Sequence, residues 1–501
     1  MKNIYRSAAQ VTVFSTIEKF LSFVYRIILT RIIGAEGLGI YQISLTVFAV
    51  FLTAASSGIP VTVSRLMAKS NAKNDVGGKH SAVTAGVACT LAVTVPIALI
   101  LFFGKNAFSF LFSDPRCVDI FVILLPGLIL TSVYAVIRGS FWGNKQFLAY
   151  SVIELAEDAV MVGVGIALIW GVSDPVLGAR YATIAVLASY IFSFAASLIW
   201  YFKSGGRFVN PKRQFKPLLS AATPVTAMRT STSLLNSVVA VLLPTILMSA
   251  CGLSNSEAVS LYGIAVGMAI PMLFIPNSFI GSIAVVAAPE LSENFYRGNT
   301  RLVRYDVEKT LRAAIFIATL LIPILLAVGG SISEFLYDNE LCGQIVQISA
   351  FIVLPMCITM MSNTLLNSMN CEKQTLLYFT IGAIIMLLCV LFLTRYLGVY
   401  SYVLGLALAQ IITAVLNLRL LKKKCGGAGY MRYTLMSVAV IIAASIFGML
   451  IHGLFKNILP LFWLIIVSSA LIIAFTLIIL FCLNMISVQP VKKLLAKNKN
   501  K

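Results

Sequence analysis

Fourteen long apolar segments constrain this chain more than any other feature of its sequence. A helix that spans a membrane needs about 20 predominantly apolar residues, whereas membrane β-strands are about 10 residues long and alternate apolar with polar residues. The sequence therefore predicts an all-α polytopic membrane protein with about 14 transmembrane helices. The predicted spans lie near residues 8–33, 42–64, 82–103, 117–138, 151–171, 178–202, 216–247, 258–288, 310–332, 343–364, 376–396, 400–421, 433–453 and 459–482.

The composition excludes a soluble enzyme and a disordered chain. Hydrophobic residues make up 59% of the sequence and charged residues 11%, against about 45–50% and about 25% in soluble domains. Of the 38 basic residues, 29 lie in segments on the side of the N-terminus and 6 in the intervening loops. Because basic loops stay in the cytoplasm, we expect a multi-pass membrane protein with both termini cytoplasmic and no nucleic-acid partner.

Two matches between polar loops indicate an internal repeat. Residues 143–150 and 371–378 share Lys-Gln and a following Tyr at an offset of 228, and Arg65-Leu66 resembles Glu290-Leu291 at an offset of 225. Each match follows the equivalent span of its half, so both halves start on the same side of the membrane. This is the arrangement of a parallel repeat.

The repeat predicts three parts. Residues 1–205 form an N-terminal six-helix bundle, residues 206–425 form a C-terminal six-helix bundle, and residues 426–501 hold two extra helices and a basic cytoplasmic tail. Two such bundles are a common framework for alternating access.

No catalytic or metal-binding pattern is visible in the sequence. There is no GxxxxGK[ST] phosphate loop, His80 and His452 are far apart, and the nine cysteines contain no CxxC pair. We therefore expect a transporter and not an enzyme, with no metal and no cofactor.

Two cations lie inside the first predicted span. Lys19 and Arg26 are seven residues apart, so they share one face of a helix at a separation of about 10 Å along its axis. Cations on one face suit a diphosphate group, because a guanidinium donates several hydrogen bonds to phosphate oxygens. The alternative interpretation is that both residues pair with acids on neighbouring helices.

Carboxylates gather in the fifth span. Glu154, Glu157 and Asp158 occupy positions i, i+3 and i+4 of one helix face, and Glu18 lies in the first span beside Lys19. Three adjacent carboxylates need cations or a proton. Proton or sodium coupling is one interpretation of these four acids, and an ion-pair network between the first and fifth spans is the other.

The seventh span opens the second half of the repeat and holds Arg229, followed by a polar stretch that includes Thr232 and Asn236. We expect Arg229 to add a third cation to a central cavity between the helices. We expect Thr232 and Asn236 to line that cavity. Alternatively, Arg229 extends to the cytoplasmic surface.

Three stretches of the sequence form a recognisable signature. The first runs from Phe23 to Tyr41 and the second from Gly58 to Leu66. The third comprises Tyr262, Gly263, Gly267, Met268, Pro271, Phe274, Pro276 and the run Pro289-Glu290-Leu291-Ser292-Glu293. Together these stretches resemble the stage V sporulation protein B-like flippases, which belong with the lipid II flippases to the multidrug/oligosaccharidyl-lipid/polysaccharide exporter superfamily.

The resemblance implies movement of an undecaprenyl-diphosphate-linked saccharide from the inner to the outer leaflet of a bacterial plasma membrane. In related lipid II flippases, cations of the first helix line the central cavity, and Lys19 and Arg26 lie in the corresponding part of this chain. The family often carries a Glu followed four residues later by Arg in the fifth span, whereas here Glu154 is followed by Asp158. That departure makes the cavity more acidic.

Three functions follow as alternatives. The first is a flippase whose partners are a lipid-linked sugar and membrane lipid. The second is a proton- or sodium-coupled antiporter of drugs or organic cations with the same fold, which an acidic cavity would suit. The third is a non-transporting membrane partner of cell-envelope synthesis enzymes.

Overall fold

The computed structural model describes residues 2–426 and 429–485, and this part of the chain is helical throughout, without a strand. A π-helical segment, Gly263–Ala269, joins α8 to α9, and a short 3-10 turn joins α11 to α12. The helices are α1 (Lys2–Ser56), α2 (Ile59–Ala72), α3 (Val76–Phe103), α4 (Arg116–Gly143), α5 (Phe147–Ile169), α6 (Pro175–Lys203), α7 (Lys212–Cys251), α8 (Asn255–Tyr262), α9 (Ile270–Tyr296), α10 (Thr300–Tyr337), α11 (Glu340–Ser349), α12 (Val353–Ser368), α13 (Glu372–Leu397), α14 (Tyr400–Cys425), α15 (Gly429–Phe455) and α16 (Leu461–Cys482).

The prediction of a polytopic all-α membrane protein is confirmed. The described residues hold 12 stretches that are long and apolar enough to cross a membrane. One of them, Val13–Asn71, has 59 residues, which is enough for two crossings at about 20 residues each. Helix α5 is the right length but carries three carboxylates within any window of membrane-spanning length, which keeps it out of those 12. The second crossing of Val13–Asn71 and helix α5 add two spans to these 12 stretches, which gives the 14 predicted spans.

The turns that precede α3 and α10 have the same construction. Asn74 and Gly298, 224 residues apart, both adopt a positive φ, of 52° and 72°. The next residues, Asp75 and Asn299, then cap the following helix, because each side chain accepts a hydrogen bond from the backbone N–H three residues on. Side-chain oxygens at this position satisfy N–H groups that the first turn leaves unpaired.

The turns that precede α5 and α13 form a second such pair. Lys145 and Asn370, 225 residues apart, both have a φ of 60°, and each is followed by a residue whose N–H bonds to the carbonyl five residues back. These turns support the predicted repeat and give it an offset of 224–225 residues. The Lys-Gln match has an offset of 228, so it pairs Lys145 with a residue three positions beyond the one that the turns make equivalent.

Gly34 interrupts α1. Its backbone has a φ of 71° and a ψ of −177°, a region that glycine adopts and other residues avoid because of their Cβ atom. The first membrane crossing ends at this kink, and the second continues from Ala35 into α2.

We expect Gly34→Ala to lower the free energy of unfolding by about 1–3 kcal/mol, since alanine is strained in this conformation. The midpoint of thermal unfolding in detergent measures the effect. Gly163→Ala is the matched control, because Gly163 lies in the helical part of α5 and its Cβ would meet open space. An alanine there gains helix propensity. Equal midpoints for the two variants would mean that the kink does not depend on glycine.

The described chain forms two compact units. Unit 1 comprises Met1–Met268 and Leu387–Tyr402, and unit 2 comprises Ala269–Met386 and Val403–Lys501. The six-helix bundles predicted from the repeat, over residues 1–205 and 206–425, stay a prediction. The lysine-rich end of the predicted basic tail, residues 486–501, lies outside the described residues.

Each unit has its own buried core. In unit 1, Val63 of α2, Val83 of α3 and Ile137 of α4 pack together and are fully buried. In unit 2, Val328 of α10 packs against Ile472 of α16, again without exposure. Large apolar side chains on the opposite helix faces are exposed, as lipid-facing residues of a membrane protein are.

Hydrogen bonds and ion pairs join helices within each unit. In unit 1, Arg116 binds the buried Asp114 and Glu36, both at 2.7 Å. In unit 2, the amide of Asn417 donates to the Ser362 hydroxyl at 3.0 Å and to the Asn363 side chain at 2.8 Å. Interhelical hydrogen bonds of this kind average about 0.6 kcal/mol in membranes, so they fix helix orientation more than they add stability.

Candidate functional site

Unit 1 contains a partly open cavity of about 320 Å³, formed by α1, α2, α4, α5 and α7. Six charged residues line it, four acidic and two basic. We call it the acidic cavity. The acids are Glu18, Glu154, Glu157 and Asp158, and the bases are Arg138 and Arg229.

The acidic cavity brings together the four acids that the sequence singled out. The three carboxylates of α5 lie on one side of the helix, at half-buried positions, and Glu18 of α1 joins them. A direct contact links the two helices, because the Ser22 hydroxyl of α1 donates to Asp158 at 3.0 Å. The i, i+3, i+4 spacing of the α5 acids is the reason that all three reach one cavity.

Arg138 is the residue of this site that the sequence analysis missed. The fourth span was expected to end at Arg138, which would have placed the residue in a cytoplasmic loop, but α4 continues to Gly143. Inside the helix, Arg138 forms an ion pair with Glu154 at 2.9 Å. The signal was present in the sequence, since Tyr134 and Trp142 lie four residues on either side of Arg138 and so share its helix face.

The partners of Arg138 place it at the wall of the acidic cavity. Its guanidinium carbon lies 5.8 Å from the ring centre of Tyr134 and 5.3 Å from that of Trp142. These are cation–π distances. Glu154 is therefore paired with a cation from α4, and its described ion pair does not involve Lys19 or Arg26.

Neither cation of the first span is among the residues that line the acidic cavity. Arg26 is half-buried and donates a hydrogen bond to the backbone carbonyl of Gly267 at 3.2 Å. Lys19 is exposed. Within residues 2–426 and 429–485, neither residue has a carboxylate within ion-pair distance, so the described contacts leave both charges without an acidic partner.

Arg229 reaches the acidic cavity from α7. Its guanidinium donates to the backbone carbonyl of Ser57, in the link between α1 and α2, at 3.0 Å. Thr232 is half-buried and Asn236 is exposed, and neither is among the residues that line this cavity. The assignment of these two residues to a cavity stays a prediction.

The acidic cavity holds more acidic than basic side chains. Four carboxylates face two guanidinium groups, and one of the two is already paired with Glu154. Among the described residues, no group of three or more His, Cys, Asp or Glu side chains has an arrangement that could hold a metal ion. The acidic and basic side chains of the cavity can form hydrogen bonds and charge pairs with a bound molecule.

The sequence has recognisable relatives. Residues 4–295 match the family described as polysaccharide biosynthesis protein. Stage V sporulation protein B of Bacillus subtilis (strain 168) is 22% identical over 446 residues, which cover 85% of each chain. The lipid II flippase MurJ of the same organism is 21% identical over 480 residues, which cover 88% of this chain and 87% of MurJ.

Solved structures share the fold. A lipid II flippase MurJ in an inward closed conformation superposes with a TM-score of 0.74 at 14% identity, covering 95% of this chain and 99% of MurJ. An inward-facing multidrug resistance MATE family transporter gives a TM-score of 0.65 at 14% identity, covering 83% of this chain and 95% of the transporter. The matched family covers more than half of the chain, and this multi-pass membrane protein, with the fold shared by MurJ and the MATE transporters, belongs to the polysaccharide biosynthesis protein family.

Proposed function

We propose that this protein is a flippase that moves an undecaprenyl-diphosphate-linked saccharide from the inner to the outer leaflet of a bacterial plasma membrane. The observation that carries the proposal is the environment of Arg26. Its guanidinium is half-buried within α1, donates to a backbone carbonyl, and has no described carboxylate partner. A cation inside a membrane segment is costly unless something compensates its charge, and a diphosphate would do so.

The family relationship supports a lipid-linked substrate. The chain matches the MurJ lipid II flippase over most of the length of both proteins, and the matched family is named for polysaccharide biosynthesis. The excess of basic residues in one set of loops supports cytoplasmic termini, so that the substrate would enter from the side on which such lipids carry newly built saccharides.

The proposed mechanism involves binding and reorientation, without a covalent step. Arg26 and the exposed Lys19 would bind the diphosphate, and Arg229 would add a third cation at the acidic cavity. The polyprenyl chain would stay in the lipid, because removing it from hydrocarbon costs about 0.8 kcal/mol per CH₂ group. Alternating access would then carry the polar head group across.

One observation favours a second candidate, an organic-cation antiporter coupled to protons or sodium. The acidic cavity holds four carboxylates against two guanidinium groups, a balance that attracts cations. The structural match to a MATE family transporter is compatible with it.

Transfer in liposomes separates these candidates. The purified protein is reconstituted with labelled undecaprenyl-diphosphate sugars, and the fraction accessible on the far leaflet is followed with time. We expect transfer at least tenfold faster than in protein-free liposomes. If no such lipid moves but an organic cation exchanges against a proton or sodium gradient, the antiporter is correct. If a folded protein moves neither, both transport candidates are wrong.

A further inference from the structure

The acidic cavity has hydrogen-bond acceptors that the protein leaves largely unused. Glu154 accepts from Arg138, and Asp158 accepts from Ser22. Tyr150 also forms a hydrogen bond with Glu154, and Ser193 forms one with Glu157. Each carboxylate offers about four lone-pair sites, so one or two described donors to each leave at least half of these sites open.

Hydroxyl groups on the cavity wall add to this set. Thr53 and Ser56 of α1 line the cavity and donate their protons to carbonyls of their own helix, at 2.6 and 2.9 Å. Their oxygen lone pairs are then available to a bound molecule, which further favours a ligand rich in hydrogen-bond donors.

Tyr134 supplies independent evidence of a ligand. It lines the acidic cavity and is only 3% exposed, yet its hydroxyl has no hydrogen-bond partner among residues 2–426 and 429–485. The Ser57 hydroxyl, at the same cavity, is also buried and has no partner in the described part of the chain. Since buried polar groups are nearly always hydrogen-bonded, unpartnered groups at a cavity wall mark atoms that a bound molecule satisfies.

The aromatic rings of the acidic cavity argue against a quaternary organic cation. Cations bind in proteins over open aromatic faces. Here the guanidinium of Arg138 already lies over the rings of Tyr134 and Trp142. A quaternary cation has no N–H group to donate to the carboxylates and would find both of these ring faces occupied, whereas a hydroxyl or ammonium group of a sugar donates directly to the carboxylates.

The volume of the acidic cavity fits a small polar group. A volume of about 320 Å³ is near the lower end of the roughly 300–1,000 Å³ typical of small-molecule pockets. One sugar ring or two would fit, but a polyprenyl chain would not.

We propose that the acidic cavity binds the saccharide end of the substrate and selects saccharides that carry hydroxyl or amine groups over those that carry carboxylates. This inference rests on the proposed function, and it names the class of saccharide. Hydroxyl and ammonium groups donate to Glu157 and Asp158. A uronic acid would instead place a negative charge beside them.

The first test compares two substrates that differ in one group. Undecaprenyl-diphosphate lipids ending in glucose or in glucuronate are assayed in the same liposomes. We expect the glucose lipid to move at least tenfold faster, and the combined variant Glu157→Gln, Asp158→Asn to reduce this ratio toward one. Asp119→Asn is the control, because Asp119 forms an exposed ion pair with Arg180 outside the cavity; its ratio should match that of the wild type. Equal wild-type rates for the two lipids, or an unchanged ratio in the combined variant, would overturn the proposal.

The second test measures binding without transport. Trp142 lines the acidic cavity, so its fluorescence reports on an occupant. We expect methyl glucoside and methyl glucosaminide to change the fluorescence of the wild type, methyl glucuronide to have little effect, and Trp142→Phe to lose the response. If no saccharide changes the fluorescence, or if tetraethylammonium alone does, the proposal is wrong even when lipid transfer occurs. Saccharide binding without lipid transfer would support the cavity assignment and refute the flippase.

Discussion

Replacement of Arg26 by Gln is expected to slow transfer of a diphosphate-linked lipid by roughly one to two orders of magnitude. A hydrogen bond to a charged group contributes about 1.5–3 kcal/mol, and 1.4 kcal/mol corresponds to a factor of ten. Glutamine keeps an N–H donor for the Gly267 carbonyl, which Arg26 contacts at 3.2 Å, but removes the positive charge. The variant therefore tests the charge and leaves this helix contact in place. Initial transfer rates in liposomes measure the effect.

Lys19→Gln is the matched control for the Arg26 variant. Lys19 lies on the same face of α1 but is exposed, and we expect a smaller decrease, of less than tenfold, because an ammonium group lacks the planar set of donors with which a guanidinium binds phosphate oxygens. The unfolding temperature of both variants should remain close to that of the wild type. An Arg26→Gln protein that is folded and transfers lipid at the wild-type rate would show that the diphosphate binds elsewhere.

The second large effect concerns stability. Arg138→Met is expected to lower the free energy of unfolding by about 2–4 kcal/mol, because it leaves the carboxylate of Glu154 without its cation in a largely buried position. The two side chains are 30% and 16% exposed, which places the loss toward the lower end of the range for buried pairs. The combined variant Arg138→Met, Glu154→Gln removes both charges and should regain at least half of the loss. Unfolding in detergent, followed by temperature or denaturant, measures each step.

An exposed ion pair provides the comparison for Arg138. Arg180 and Asp119 are 44% and 55% exposed, and Arg180→Met should change stability by less than about 1 kcal/mol. If the combined Arg138 and Glu154 variant is as unstable as Arg138→Met alone, then packing of the arginine against Tyr134 and Trp142 is the source of the loss, and the ion pair is not.

Part of the candidate site could be predicted from the sequence because it depends on spacing along one helix. Glu154, Glu157 and Asp158 share a face of α5 whatever their surroundings, and the structure places all three at one cavity. Arg229 was likewise identified from its position within an apolar span. These predictions needed the helix period and the cost of a charge in a membrane, both of which are local properties.

Other parts of the candidate site could not be predicted from spacing along one helix. Hydropathy placed the end of the fourth span at Arg138, five residues before α4 ends, because charged and aromatic residues near a helix end give no sharp hydropathy boundary. The carbonyl that Arg26 contacts belongs to Gly267, 241 residues away. No spacing rule along one helix connects residues so far apart in the chain.

The sequence by itself determined the all-α membrane fold, the number of spans and the acidic face of α5, because hydrophobicity and helix period act over a single helix. Only the tertiary structure decided that Arg138 is the cation that pairs with Glu154, that Arg229 joins the acidic cavity, and that Lys19 and Arg26 do not line it. These outcomes depend on how each helix is rotated about its axis and which helix it packs against. That choice is made by side-chain packing over the whole unit, which no segment of the sequence encodes alone.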